Sequence, residues 1–209
     1  MPLWAQIGVG FFAFTVLVMV FGPGVTKRKF RRQFDALASA LGRPRSADRD
    51  WPFRVPVSAG ERPFELWYDF RTRSRAEGYR LAPTGHMLIA TTKLSGTRWP
   101  LHQVDITQVD GWMSKVVGSK RATGDPDFDP RFIVTQAGPH VRDGWLDEPT
   151  RAAVGRFFGV APPGGRLWVR EGDLQFLMHT PWPAADGAAL QTLLEHQAAL
   201  ATALEKTAR

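Results

Sequence analysis

Between Pro2 and Thr26 the chain carries no charged side chain, and five of the next six residues, Lys27 to Arg32, are basic. No other feature constrains the fold as strongly. A hydrocarbon core about 30 Å thick takes roughly 20 apolar residues at about 1.5 Å rise each. Leu3 to Gly22 has that length, and only Gln6 and Thr15 are clearly polar. Trp4 lies near one end, where an indole suits the interface. Gly22-Pro23-Gly24 breaks the helix at the other end. A cleaved secretory signal would place its charges before a shorter apolar core, with a small-residue cleavage site after it. Here the charges come after a longer core. The sequence therefore predicts a transmembrane signal anchor over residues 1–24.

Charge asymmetry sets the expected orientation. Lys27, Arg28, Lys29, Arg31 and Arg32 follow the apolar segment, and basic flanks stay cytoplasmic. The expectation is a single-pass membrane protein with its N-terminus outside and its C-terminal domain in the cytoplasm. The lack of cysteine excludes disulfides and thiolate metal sites and agrees with a reducing compartment. The net charge of +7 is concentrated near the anchor. Residues 27–54 hold nine Lys and Arg against Asp35, Asp48 and Asp50, whereas the remainder is almost balanced. The five residues Lys27, Arg28, Lys29, Arg31 and Arg32 are thus expected to contact the lipid bilayer, at about 1 kcal/mol each beside anionic headgroups. A nucleic-acid partner is not expected, because no basic patch with interleaved aromatics occurs elsewhere.

Beyond the anchor, the pattern divides into a basic amphipathic stem helix (residues 25–42), a polar linker (43–50) and one α+β domain (51–209). Phe30, Phe34, Leu37 and Leu41 form an apolar stripe at helical spacing, which Gly42 and Pro44 end. The stripe is expected to pack on the chain's own domain. Residues 51–135 read as β structure. Phe64 to Phe70 alternates with Trp67 as the exception, and His86 to Thr92, Trp99 to Val109 and Phe128 to Thr135 are further runs. Gly78 to Leu81 is a possible pairing partner for one of these. Asp147 is placed to cap a helix over Pro149 to Phe158. Glu171-Gly172-Asp173 joins two short strands in a hairpin. Asp186 begins a closing helix that reaches about Lys206, with Leu190, Leu193, Leu194, Leu200 and Leu204 along one side. The predicted architecture is a transmembrane helix and stem followed by a mainly antiparallel β domain with flanking helices.

The chemistry-bearing signatures are sparse. Asp125-Pro126-Asp127-Phe128-Asp129 resembles a calcium loop, but Pro130 stands where the loop needs Gly and Gln136 where it needs Glu. Its carboxylates are expected to cap a turn. The five histidines show no paired metal spacing, and no serine-elbow or phosphate-loop pattern occurs. No catalytic, cofactor-binding or metal-binding residue is assigned. Seven tryptophans lie beyond the apolar segment. Trp112, Trp145 and Trp182 stand beside Gly or Pro in loop-like contexts and are the candidates for a partner surface, where tryptophan is enriched.

The stretch Gly124-Asp125-Pro126-Asp127-Phe128-Asp129-Pro130-Arg131-Phe132-Ile133-Val134, then Trp145-Leu146, Leu167-Trp168-Val169 and Gly172-Asp173-Leu174, resembles a pattern in uncharacterised bacterial membrane-anchored proteins. There an acidic strand precedes a helix and a hairpin. The likeness covers residues 124–180. It implies a bacterial protein with a membrane anchor and carries no functional residue with it. Two expectations follow. The first is a membrane-tethered, non-catalytic interaction or scaffold module whose partners are the bilayer and another protein. The alternative is a small membrane-associated enzyme or ligand sensor.

Overall fold

The computed structural model describes residues 28, 31–42, 53–71, 85–95, 103–109, 123–137, 145–179 and 186–207. The expected anchor (1–24), the linker (43–50) and the expected pairing segment Gly78 to Leu81 lie outside them. Among the described residues no helix is long and apolar enough to cross a membrane.

Among the described residues a seven-stranded antiparallel sheet forms the centre of the fold. Its strands are β1 (Phe53–Ala59), β2 (Arg62–Arg71), β3 (Gly85–Lys93), β4 (Gln103–Gln108), β5 (Phe132–Ala137), β6 (Arg166–Arg170) and β7 (Asp173–His179). Their spatial order is β1-β2-β3-β7-β6-β4-β5. The C-terminal hairpin is thus inserted between β3 and β4. The β3–β7 ladder, from Met87↔His179 to Lys93↔Asp173, joins the two halves of the sheet.

Among the described residues three helices accompany the sheet: α1 (31–40, with Arg28 also helical), α2 (Glu148–Val160) and α3 (Gly187–Thr207). Period-2 alternation in the strands sends one set of side chains toward them. Phe53, Val55 and Val57 of β1, Leu66 of β2, Phe176 of β7 and Ile106 of β4 share one buried cluster with Phe34, Phe157 and Leu194 from the three helices. α2 and α3 begin where their sequence signals place them. Asp147 accepts a hydrogen bond from the Thr150 N–H at 2.9 Å, and Asp186 accepts one from the Ala189 N–H at 2.9 Å; each satisfies a first-turn donor. The Glu171-Gly172 turn has both φ angles positive, 50° and 80°, as a tight hairpin between right-twisted strands requires.

One expectation needs correction. Phe128 does not begin a strand: residues 126–131 form a turn, and β5 starts at Phe132. β1 was not singled out as a strand within the β region, although its alternation of buried and exposed residues is complete. Pro56 lowers its apparent strand propensity, but β1 is an edge strand, where proline is tolerated.

In its described part the stem stripe packs on the domain, while Phe30 lies outside the described residues. Phe34 and Leu37 are each 3% exposed, and Leu41 packs at the margin of the same core. Phe34 stacks on Phe53 at 6.2 Å and tilts against Tyr68 at 6.3 Å. At its far end α1 meets α3 so closely that a Cβ on Gly187 would lie 2.9 Å from the Ala40 carbonyl oxygen. A chain lacking residues 1–24 should therefore melt cooperatively. Removal of residues 1–42 should cost several kcal/mol, at about 1.5–3 kcal/mol per buried large side chain. Equal melting temperatures for the two truncations would contradict this packing.

Candidate functional site

The sheet has a second face, and among the described residues no helix packs on it. Trp67, Met87, Ile89, Trp168 and Leu177 form a separate small cluster there. Trp67 is thereby explained: it breaks the apolar alternation of β2 because it belongs to this other face, and its indole N–H donates to Thr91 Oγ1 at 2.8 Å. Register sets polar side chains next to this cluster. Asp105 of β4 lies opposite Trp168 of β6, and Trp168 lies opposite Gln175 of β7. Arg166 and Arg170 flank Trp168 at the two-residue spacing that puts them on the same face.

Asp105 is the unusual member. Its side chain is 14% exposed and that of Arg166 is 17% exposed, with 3.5 Å between carboxylate and guanidinium. The Thr107 hydroxyl donates to Asp105 Oδ1 at 3.1 Å. Burial pushes the Asp105 carboxyl above the usual aspartate range, and Arg166, Thr107, Trp168 and Arg170 oppose that push without cancelling it. The Arg170 guanidinium lies 3.8 Å from the centre of the Trp168 ring. This arrangement can take up and release a proton at a higher pH than an ordinary surface aspartate. Sequence reading passed over Asp105. A signal was available, because aspartate is depleted from strands and here sits between Val104 and Ile106.

The acidic stretch is a structural staple. Asp125 Oδ1 accepts from the N–H groups of Asp127 (2.9 Å) and Phe128 (3.1 Å), while its Oδ2 accepts from Arg151 Nε of α2 at 2.7 Å. Arg151 also donates to the Leu146 carbonyl at 2.7 Å. Asp129 accepts from the backbone of Thr123 and Gly124 and from the Thr123 hydroxyl. Phe128 and Phe132 meet at 4.6 Å beneath the turn. The Arg151 guanidinium holds Asp125 below its ordinary pKa. Both carboxylates are thus committed to capping, as the sequence led one to expect. Among the described residues no cluster of three His, Asp or Glu side chains has a geometry suited to a metal ion. A shallow cleft of about 330 Å³ lies between this turn and α2, flanked by Arg131 and Arg156.

The residues picked out from sequence fall in different places. Arg28 and Arg32 are exposed. Arg31 leans inward, 3.9 Å from Asp35 and 5.6 Å from the centre of the Phe53 ring. Lys27, Lys29, Trp112 and Trp182 lie outside the described residues. Trp145 is a correction: at 4% exposure it belongs to the core cluster and offers no partner surface. Its neighbour Gly144 suggested a loop, but the segment leads into the Asp147 cap and is pinned by Arg151. No protein-family model matches the chain, and neither does any curated protein or any solved structure.

Removing Arg166 would leave the Asp105 carboxylate buried without its principal counter-charge. Arg166→Met should therefore destabilise the fold by about 2–4 kcal/mol near neutral pH. A raised carboxyl pKa means that the protonated form is the better accommodated one. Stability from Asp105 is thus full below the ordinary aspartate pKa and declines as pH rises through the raised value. The penalty of Arg166→Met should shrink as the pH is lowered through that window, and Asp105→Asn should largely suppress it. Urea titrations across the acidic range check both effects. A pH-independent penalty would contradict the assignment.

Proposed function

We propose that this chain is a membrane-tethered cytoplasmic module that holds another protein at the bilayer and does no chemistry of its own. One observation carries the reading. The helix that directly follows the apolar and basic segments is built into the core of the domain through Phe34, Leu37 and Ala38. An anchor joined in this way positions the domain and does not merely confine it.

The charged groups of the domain support the same reading, because many of them fasten elements together. Arg62 forms a two-pronged pair with Glu205 at 2.9 and 2.8 Å, which ties the end of α3 to the start of β2. Burial pushes Glu205 up, but Arg62 and the Ser95 N–H outweigh it and hold its carboxyl below the ordinary value. Arg151 ties α2 to the Asp125 turn in the same manner. The resemblance to bacterial membrane-anchored proteins agrees with this reading. Trp112 and Trp182 are the tryptophans proposed for the partner surface.

A second reading, a small membrane-associated enzyme or ligand sensor, is favoured by one feature, the buried Asp105 beside Arg166 and Trp168. Affinity capture of the detergent-solubilised full chain separates the two. The interaction reading expects a stoichiometric protein partner that is lost in Trp112→Ala or Trp182→Ala and retained in Asp105→Asn. A reporter fused after Arg209 should be active only if it works in the cytoplasm. Absence of any partner, or activity only from an export-dependent reporter, would contradict the proposal.

A further inference from the structure

The docking of α1 divides its basic residues into two sets. Phe34, Leu37 and Ala38 fix which side of the helix meets the core. Arg31 is then drawn toward the domain by Asp35 and the Phe53 ring. Arg28 is itself helical and four residues before Arg32, a spacing that on a helix puts the two on one face, and both are exposed. Ser39, seven residues after Arg32, continues that face and is exposed as well. Among the described residues neither Arg28 nor Arg32 has a carboxylate partner.

The chain preceding Arg28 says what covers this face. Only five residues separate it from Gly22, the end of the apolar segment. Fully extended, they reach about 20 Å. The segment in front of α1 is long enough to span a bilayer, and the exposed face of α1 is cationic. From this we infer that the Arg28–Arg32–Ser39 face of α1 lies against anionic lipid headgroups and sets the orientation of the whole domain on the membrane. The inference rests on the membrane-tethered reading and sharpens it. Arg31 is a packing residue, while Arg28 and Arg32 are the pair that lipid reads. Because α1 is part of the core, lipid contact at this face orients the sheet and helices as one body.

The chain has no cysteine, so single labels can be placed without background. A fluorophore is attached to full-length Ser39→Cys, or to Glu195→Cys on an exposed site of α3, and each protein is reconstituted into vesicles with a quencher on the lipid headgroups. Vesicles contain either zwitterionic lipid alone or a third phosphatidylglycerol. The label at position 39 should be quenched more than that at 195, more strongly with phosphatidylglycerol, and less at high salt. Reversing both charges, Arg28→Glu with Arg32→Glu, should lower the docked-to-undocked ratio at least about tenfold while a cooperative melt is retained. The matched reversal of Arg131 and Arg156, both exposed, should leave it nearly unchanged. Equal loss from the two reversals would show an effect of net charge alone and overturn the inference. So would equal quenching at positions 39 and 195 in a chain that does insert. A wild-type chain that fails to co-float with vesicles would defeat the membrane reading itself, and this inference with it.

Discussion

The ladder between β3 and β7 is the pairing on which the rest of the molecule depends. Among the described residues it is the only ladder that connects the β1-β2-β3 meander to the β7-β6-β4-β5 group. Its two strands are separated by some eighty residues of sequence, so it carries a loop-closure cost that neighbouring hairpins do not. The fold supports it from above. Gln197 of α3 is fully buried, and its amide donates to the Ala90 carbonyl of β3 at 3.1 Å and the Leu174 carbonyl of β7 at 3.2 Å. One side chain therefore grips both halves of the sheet across their seam. The second fastening is the Arg62–Glu205 pair at the end of the same helix. α3 acts as a clamp, apolar along its length, with Gln197 spanning the seam and Glu205 holding the β2–β3 side.

The proposed tether would enter this scheme through α1. It packs on the meander half through Phe53 and Tyr68, and its last turn abuts the beginning of α3 at Gly187. A glycine at that point allows an approach that a Cβ would prevent. α1 is thus held by both the sheet and the clamp helix. The consequence is mechanical. Force or orientation imposed at residue 31 is passed to the core through the helix 31–40. The open face of the sheet, with its Asp105–Arg166 pair, is on the side that the helices leave free.

Local chemistry was legible in the sequence, and long-range pairing was not. Asp147, Asp186 and Glu171-Gly172 each act within three or four residues, so their roles could be read from spacing alone. The α1 stripe and the leucines of α3 were legible because period 3.6 survives in any helix that buries one face. The insertion of β6–β7 between β3 and β4 left no local trace, since each strand looks the same whichever neighbour it has. Trp145 misled because an indole beside glycine can sit equally well on a surface or against a core. Asp105 was missed for a related reason: its strand was recognised by its apolar face, and the meaning of the polar face emerged only when register put Arg166 and Trp168 beside it.

The packing of Phe34, Leu37 and Ala38 makes α1 one folding unit with the sheet, and native-state hydrogen exchange tests this most directly. Backbone amides of residues 34–41 should exchange only through the global opening that also releases β3 and β7, with matching protection and matching denaturant dependence. If those amides instead exchange through a low-energy local opening while β3 and β7 remain protected, α1 is a loose strap and the account is wrong.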